Sequence, residues 1–208
     1  RFLRIGVDTR QCNLTSPIFT LAVTPIARPN IPGLPRAGSF YRCLILSSAA
    51  LVNRGDSVVN GGVCSNSSIV GFPPGFALDE HEKDTVVTQA LVQTEVLNAY
   101  LRGLCSTPFP PPEPTLSGTF TPGTYCLGGS PELTNITLDG AGSYYFVTEK
   151  GFSTAENARV TLSNGASAGQ VFFSTNGQTE LGDNTNLQGI LVVGKASLRI
   201  GSNVVING

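Results

Sequence analysis

The chain has 208 residues, of which 13% are charged and 40% apolar, and its formal net charge is -1. This length suits one substantial core, and the few charges form no basic stripe, which argues against a nucleic-acid partner. No apolar run reaches the ~18 residues that a membrane helix needs, so membrane insertion is not expected.

Residues 1–37 are predicted to form an N-terminal extension to a single domain at 38–208. The extension contains one alternating strand, with Phe19, Leu21 and Val23 on one side, followed by a proline-rich linker. An isolated strand must pair with a sheet edge. We expect that edge to belong either to the same domain or to a neighbouring subunit.

A long amphipathic helix is predicted at about 79–103. Asp79 and Glu82 have capping-box spacing, and Gly103 suits the far end. The helix should lie along one side of the domain. Residues on its apolar stripe follow a 3.6-residue period: Val87, Ala90, Leu91, Thr94, Leu97, Leu101 and Leu104.

The five cysteines show no CxxC pattern and the chain has one histidine, so no metal site or cofactor is expected. A bridge between Cys105 and Cys126 would close a loop of about 22 residues and stabilise the fold by roughly 3 kcal/mol. Cys43 and Cys64 are the next pair by position. That leaves Cys12 either free or bonded to another molecule.

Three N-x-S/T sequences make Asn13, Asn66 and Asn135 candidates for N-glycosylation. Together with the cysteines they predict a secreted, extracellular protein.

The second half of the chain contains a repeat. Segments that start at Tyr144, Val171 and Ile190 align with one another, and a fourth copy starts at Cys43. The alignment predicts that the following residues lie in adjoining layers: Ile45, Phe146, Phe173 and Val192. Short strands with Gly or Asn at their corners and a period near 20 residues are typical of solenoids.

The predicted fold is therefore dominated by β-structure. We expect a right-handed β-solenoid, or β-helix, of about 19–27-residue coils, with one long α-helix packed alongside.

A four-residue figure recurs within the repeat, as Thr154-Ala-Glu-Asn157, Leu181-Gly-Asp-Asn184 and Ile200-Gly-Ser-Asn203. Gly and Asn accept the positive φ angles of tight corners, so the figure has a purely structural interpretation. A functional interpretation, as part of a binding face, is equally open at this point.

Catalysis is not expected. Gly165 to Gly169 match the G-x-S-x-G nucleophile pattern around Ser167, but a strand follows directly where a helix is required. The single histidine, His81, lies among acidic residues and is predicted to be solvated rather than a general base.

Several stretches resemble the microbial ice-binding protein family across about residues 38–208: "GFPPG" before the helix, "TPGTYC" after it, "LSNGA", and the closing "VVING". The resemblance implies a discontinuous solenoid in which the coil from Cys43 packs beside the C-terminal coil. It also implies adsorption to ice through a flat face bearing a T-A/G-x-T/N figure. Carried over by position, the candidate ice-binding residues are Thr154, Asn157, Leu181, Asn184, Ile200 and Asn203.

Two functions follow as hypotheses. The first is a secreted, non-enzymatic protein that binds an ice surface. The alternative is a structural subunit of an extracellular filament or an adhesin, a homopolymer assembled through Cys12 and the N-terminal strand.

Overall fold

The computed structural model of the protein describes residues 42–105 and 115–208. The predictions for the N-terminal extension, including Cys12, Asn13, Phe19, Leu21 and Val23, lie outside these residues. The described part of the chain forms sixteen β-strands and one α-helix. In chain order they are β1 (Cys43–Ser47), β2 (Leu51–Asn53), β3 (Val58–Ser65), β4 (Ile69–Val70), β5 (Phe76–Glu82), α1 (Thr85–Gly103), β6 (Thr115–Phe120), β7 (Gly123–Leu127), β8 (Glu132–Asp139), β9 (Tyr144–Thr148), β10 (Phe152–Ser163), β11 (Val171–Thr175), β12 (Thr179–Leu181), β13 (Asn186–Gln188), β14 (Ile190–Val193), β15 (Leu198–Ile200) and β16 (Val205–Asn207).

The strands stack in parallel into three faces, each seven strands high. Face A consists of β7, β9, β11, β14, β1 and the second halves of β3 and β5. Face B consists of the first parts of β6, β8 and β10, then β12, β15, β2 and β4. Face C consists of the last parts of β6, β8 and β10, then β13, β16 and the first parts of β3 and β5. The predicted β-solenoid is confirmed.

The coil from Cys43 lies beside the C-terminal coil, as the family resemblance implied. Strand β1 pairs with β14, β2 with β15, and β3 with β16. Leu51 is level with Leu198, and Val59 with Ile206, as the alignment predicted. The solenoid is therefore assembled from parts of the chain that are far apart in sequence.

One predicted layer is wrong by a single residue. Phe173 is level with Phe146, as expected, but its neighbour on the other side is Leu191 rather than Val192. Ile45 is also level with Leu191. The corner after β14 has four residues (194–197), whereas the corner after β11 has three (176–178), and an alignment without gaps cannot represent this difference.

The interior contains a ladder of aromatic rings. Tyr125 stacks on Phe146 with ring centroids 5.2 Å apart, and Phe146 stacks on Phe173 at 5.0 Å. Phe152 packs against Phe173 from the next face at 5.5 Å. Because the layers are level, Phe146 meets a ring on each side, which fixes the registry of these coils.

Helix α1 begins later than predicted. Asp84 is its N-cap, and the carboxylate accepts a hydrogen bond from Val87 N at 2.9 Å. The predicted start at Asp79 is wrong, because residues up to Glu82 belong to β5, which pairs with β3. In the described part of the chain, no helix is long and apolar enough to cross a membrane.

Helix α1 packs along face A, as predicted. Ser174 Oγ on β11 donates a hydrogen bond to Asn98 Oδ1 at 2.6 Å. A helix of 19 residues is about 28 Å long, and seven strands spaced by ~4.8 Å span about 29 Å, so α1 extends over the full height of the face. Its buried residues are Val87, Ala90, Thr94, Leu97 and Leu101.

Both predicted disulfides are formed. Cys43 is bonded to Cys64, which links neighbouring strands of face A, with Cα atoms 5.6 Å apart. Cys105 is bonded to Cys126, with Cα atoms 5.7 Å apart. The second bridge ties the end of α1 to β7, so the helix is held at the far end of the stack.

His81 is buried, not solvated as predicted. Its Nε2 lies 2.9 Å from Asp79 Oδ2, and its Nδ1 lies 2.5 Å from Asp84 Oδ2. Arg42 Nη2 donates to Asp79 Oδ2 at 2.8 Å. This cluster connects the start of the described chain, the last strand of face A and the N-terminus of α1.

We expect the cluster to make stability depend on pH in the acid range. The hydrogen bond from Arg42 lowers the pKa of Asp79, and the backbone N–H of Val87 lowers the pKa of Asp84. A carboxyl whose pKa in the folded state lies below its unfolded value of about 3.9 stabilises the fold at pH values above the unfolded pKa. This contribution to stability is lost as the pH falls through the folded-state pKa. Urea unfolding as a function of pH should therefore show a loss of stability below about pH 4.

The replacement Asp84→Asn tests this dependence, since asparagine also caps helices but does not titrate. We expect the variant to lose part of the acid slope, whereas Glu156→Gln, at an exposed corner, should keep it. An unchanged slope in Asp84→Asn would contradict the assignment.

Candidate functional site

The recurring four-residue figures form the corners between faces B and C. Their first residues, Thr154, Leu181 and Ile200, are 5%, 1% and 0% exposed. They end strands of face B at positions whose side chains point into the solenoid. This corrects the expectation that these three side chains lie on an outer face.

The Thr154 hydroxyl has a structural role in its corner. Its Oγ1 accepts a hydrogen bond from Gly182 N at 2.9 Å and lies 2.8 Å from Thr185 Oγ1. Thr185 Oγ1 in turn lies 2.7 Å from Gly182 O, to which it donates. The second position of the figure must be small, because a Cβ on Gly182 would lie 2.7 Å from Thr154 O.

The last residues of the figures, Asn157, Asn184 and Asn203, are exposed and have φ angles of 62°, 58° and 55°. Asparagine is one of the few residues that adopts this left-handed conformation readily. Asn203 Nδ2 donates to Asn184 Oδ1 at 3.2 Å. Corner geometry therefore accounts for the recurrence of the four-residue figure. The three asparagine side chains remain exposed at the border of face C.

We expect Thr154→Val to lower the unfolding free energy by about 1–3 kcal/mol, because the part-buried N–H of Gly182 loses its acceptor. The control is Thr161→Val, which removes an exposed hydroxyl from the same strand and should cost less than about 0.5 kcal/mol. Equal losses in chemical denaturation would contradict the corner role.

Face A is covered by α1, which leaves faces B and C as exposed surfaces. Face B presents one outward side chain per coil at its centre, and three of them are charged. Arg54 Nη1 lies 3.5 Å from Glu180 Oε1 at its edge. Ionic groups hold their own hydration shells, which opposes an ordered water layer on this face. The central column is Thr115, Glu132, Ser153, Glu180, Arg199, Val52 and Val70.

Face C presents two outward columns of side chains. The first column is Asn135, Arg159, Asn186, Val205, Val58 and Phe76. The second column lies two residues further along each strand and is Thr119, Thr137, Thr161, Gln188, Asn207 and Asn60. Arg159 is the one charged residue in the two columns.

The columns of face C form a regular two-dimensional array. Neighbouring rungs are ~4.8 Å apart, and side chains two residues apart on a strand are separated by roughly 6.8 Å. Asn60 Nδ2 donates to Asn207 Oδ1 at 2.6 Å, and Gln188 Nε2 donates to Asn186 Oδ1 at 2.7 Å. These bonds hold the amides against one another. The face is thus rigid, nearly neutral and lined by hydroxyl, amide and methyl groups.

An array of this kind suits an extended, regular partner better than a small solute, because it offers many equal contacts and no enclosing cleft. The sequence alignment contained these columns, at the sixteenth and eighteenth positions of each copy. Their residue types differ from coil to coil, so the recurrence of residues does not mark them. Their shared property is that they point outward and carry little charge.

No catalytic constellation is assembled around Ser167 or His81. Ser167 precedes a single 3-10 turn at Ala168–Gln170 and then β11, so the strand–turn–helix setting of a nucleophile elbow is missing there. His81 is held between Asp79 and Asp84. Within residues 42–105 and 115–208, no group of three or more His, Cys, Asp or Glu side chains is placed to hold a metal ion.

The two described glycosylation candidates lie in different places. Asn66 is exposed at the corner between faces A and B, after β3. Asn135 is exposed in the first column of face C, level with Arg159.

Comparisons of the sequence and of the structure with known proteins both match ice-binding proteins. The sequence profile of a family described as ice-binding-like matches residues 45–208. An ice-binding protein from the Antarctic ascomycete Antarctomyces psychrotrophicus is 27% identical, with a TM-score of 0.65 over 82% of this chain and 93% of that chain.

Two more distant structures share the fold. A glycosylated ice-binding protein from an Arctic yeast is 21% identical, with a TM-score of 0.60 over 82% of this chain and 90% of that one. An ice-binding protein domain from Shewanella frigidimarina is 18% identical, with a TM-score of 0.55 over 86% and 99%. No curated protein matches the sequence significantly.

Proposed function

Because the chain belongs to the ice-binding-like family, we propose that it is a non-enzymatic protein that adsorbs to ice, and that face C is its ice-binding surface. Face C is chosen because it is nearly free of charge along a regular array of side chains that extends over six consecutive rungs. Face A is covered by α1, and face B carries Glu132, Glu180 and Arg199 along its centre.

The physical basis is the ordering of water over the face. Threonine methyl groups and valine side chains restrict the water next to them, while hydroxyl and amide groups anchor it by hydrogen bonds. A rigid array needs no reordering when it meets the crystal, so little conformational entropy is lost on adsorption. Each contact is weak, and the affinity comes from the number of contacts made together.

The direct test is partition of the purified protein into slowly growing ice, combined with measurement of thermal hysteresis. We expect the protein to be enriched in the ice fraction, while a co-dissolved protein with no affinity for ice remains in the liquid. Exclusion from ice, with no hysteresis at high micromolar protein, would overturn the proposed function.

We also propose that the protein is secreted. Both disulfides form within the domain, and such bonds persist in oxidising compartments. A glycan at Asn66 would project from the corner between faces A and B, away from face C. The glycosylation proposal is supported by the structurally similar yeast protein, which is itself glycosylated.

A glycan at Asn135 would stand on face C and prevent close approach to ice. We therefore expect protein from a host that glycosylates Asn135 to adsorb poorly, and Asn135→Gln from the same host to recover adsorption. The matched variant is Asn66→Gln, which should leave adsorption unchanged. Peptide mass spectrometry reports the occupancy of each site. Full adsorption with Asn135 occupied would place the ice-binding surface elsewhere.

The alternative function, a subunit of a filament or an adhesin, depends on residues 1–37. No comparison supports a homopolymer, so this alternative ranks second. Light scattering of the full chain over a range of concentrations distinguishes a monomer from an assembly.

A further inference from the structure

We propose that the segment at residues 16–24 docks as an additional strand on β5 of its own chain and caps the open end of the solenoid. The inference concerns the end of the stack and does not depend on which face contacts ice. Four observations support it: an unpaired strand edge, an incompletely covered core, the position of Arg42, and complementary charge.

The end of the stack formed by β4 and β5 has an open edge. Among the described residues, β4 pairs with β2 alone and β5 with β3 alone. Alternate N–H and C=O groups of β5 therefore point away from the solenoid. Solenoids generally need a capping element at such an end, because an open edge is a template for another strand.

The core is also incompletely covered at this end. Ile69, Phe72 and Ala77 pack against the core but are only partly buried. A strand added beside β5 would place one set of its side chains over Ala77 and continue the interior column by one layer.

The side chain of Arg42, the first described residue, reaches this end of the molecule. Arg42 immediately precedes β1, two layers from β5, yet its guanidinium reaches Asp79 on β5 at 2.8 Å. A strand beyond β5 would lie three strand spacings from β1, or about 14 Å. The proline-rich linker of about 17 residues, at ~3.1 Å per residue, reaches roughly 50 Å, so its length does not restrict docking.

The segment at 16–24 carries no charge itself, but the residues that flank it are opposite in charge to the end of β5. Residues 1–41 contain five arginines and one acidic residue, Asp8. The end of β5 and the turn into α1 present acidic groups at positions 79, 80, 82 and 84. The alternation of Phe19, Leu21 and Val23 supplies the apolar side that the uncovered core requires. A tethered strand also has a high effective concentration at its own domain, which favours the same chain over a second copy.

Hydrogen exchange of the full chain, followed by mass spectrometry of peptides covering 69–82, tests the proposal. The double variant Phe19→Asp with Leu21→Asp removes the apolar side of the segment, whereas Ile26→Asp with Ile31→Asp changes the linker as a control. We expect exchange of the β5 amides to accelerate at least about tenfold in the first variant and to stay unchanged in the control. Light scattering should show the wild-type chain as a monomer.

Equal exchange of the β5 amides in the wild type and the first variant would overturn the proposal. If protection of the β5 amides disappears on dilution and light scattering shows an oligomer, the edge of β5 is occupied by a second copy. That result would overturn docking within one chain. Because the readout is the exchange of β5, its outcome is separate from that of the ice-partition experiment. Both variants leave residues 42–208 unchanged, so circular dichroism should report the same folded domain.

Discussion

Replacing Thr161 with tyrosine should lower the fraction of protein bound to ice by roughly tenfold or more, since a loss of about 1.4 kcal/mol in adsorption free energy has this effect. Thr161 lies in the second column of face C, on the third of its seven rungs. A tyrosine ring would project beyond its neighbours and hold the surrounding array away from a flat crystal. The measurement is ice partition, with the melting temperature recorded in parallel.

The same strand provides a matched control. Ser153 points outward from β10 on face B, in the same coil as Thr161. Ser153→Tyr introduces the same ring at the same height of the solenoid, and we expect it to adsorb like the wild type. If Ser153→Tyr loses adsorption and Thr161→Tyr keeps it, the ice-binding surface is face B, despite its charges.

Replacing Leu97 with alanine should lower the unfolding free energy by about 2–5 kcal/mol, the range for buried leucine. Leu97 is fully buried between α1 and face A. The strands of face A cannot shift to fill the space, because ladder hydrogen bonds fix them on both sides. Urea denaturation at neutral pH measures the effect.

Leu104→Ala is the control for this loss, since Leu104 follows the same helix but is 46% exposed. We expect a change within about 0.5 kcal/mol. Similar losses in the two variants would mean that α1 is not firmly packed on face A.

Much of the fold could be predicted because a solenoid repeats one set of requirements in every coil. Interior positions, corner asparagines and short strands recur, so aligned copies reveal the layers. The alignment of Phe146 with Phe173 succeeded for this reason. The error at Val192 arose where one corner is a residue longer than its equivalents, a difference that leaves no mark in a gapless alignment.

The helix start was predicted wrongly for a tertiary reason. Asp79 and Glu82 have the spacing of a capping box, and nothing in their local sequence excludes it. Their backbone instead pairs with β3, and the cap is provided by Asp84. The buried position of His81 follows from the same pairing, because β5 brings it between two carboxylates.

The candidate site was the hardest part to predict. The figure that begins at Thr154 attracts attention because its residues recur, and they recur because a corner restricts them. The columns of face C, such as Thr161, Gln188 and Asn207, vary because a flat outer surface requires only that side chains be similar in reach and uncharged. Residue identity therefore marks the structural positions more clearly than the positions that we propose for ice binding.

The pairing of β1–β3 with β14–β16 also sets the order in which the molecule can mature. Asn60 bonds to Asn207, 147 positions later, so the coil of β1–β3 waits for the later-made strands β14–β16 before one of its sides is covered. Contacts of such long sequence separation slow folding. During synthesis the early strands keep an open side until the coil of β14–β16 leaves the ribosome. We expect a circular permutant that joins residue 208 to residue 42 to fold faster than the chain in its natural order.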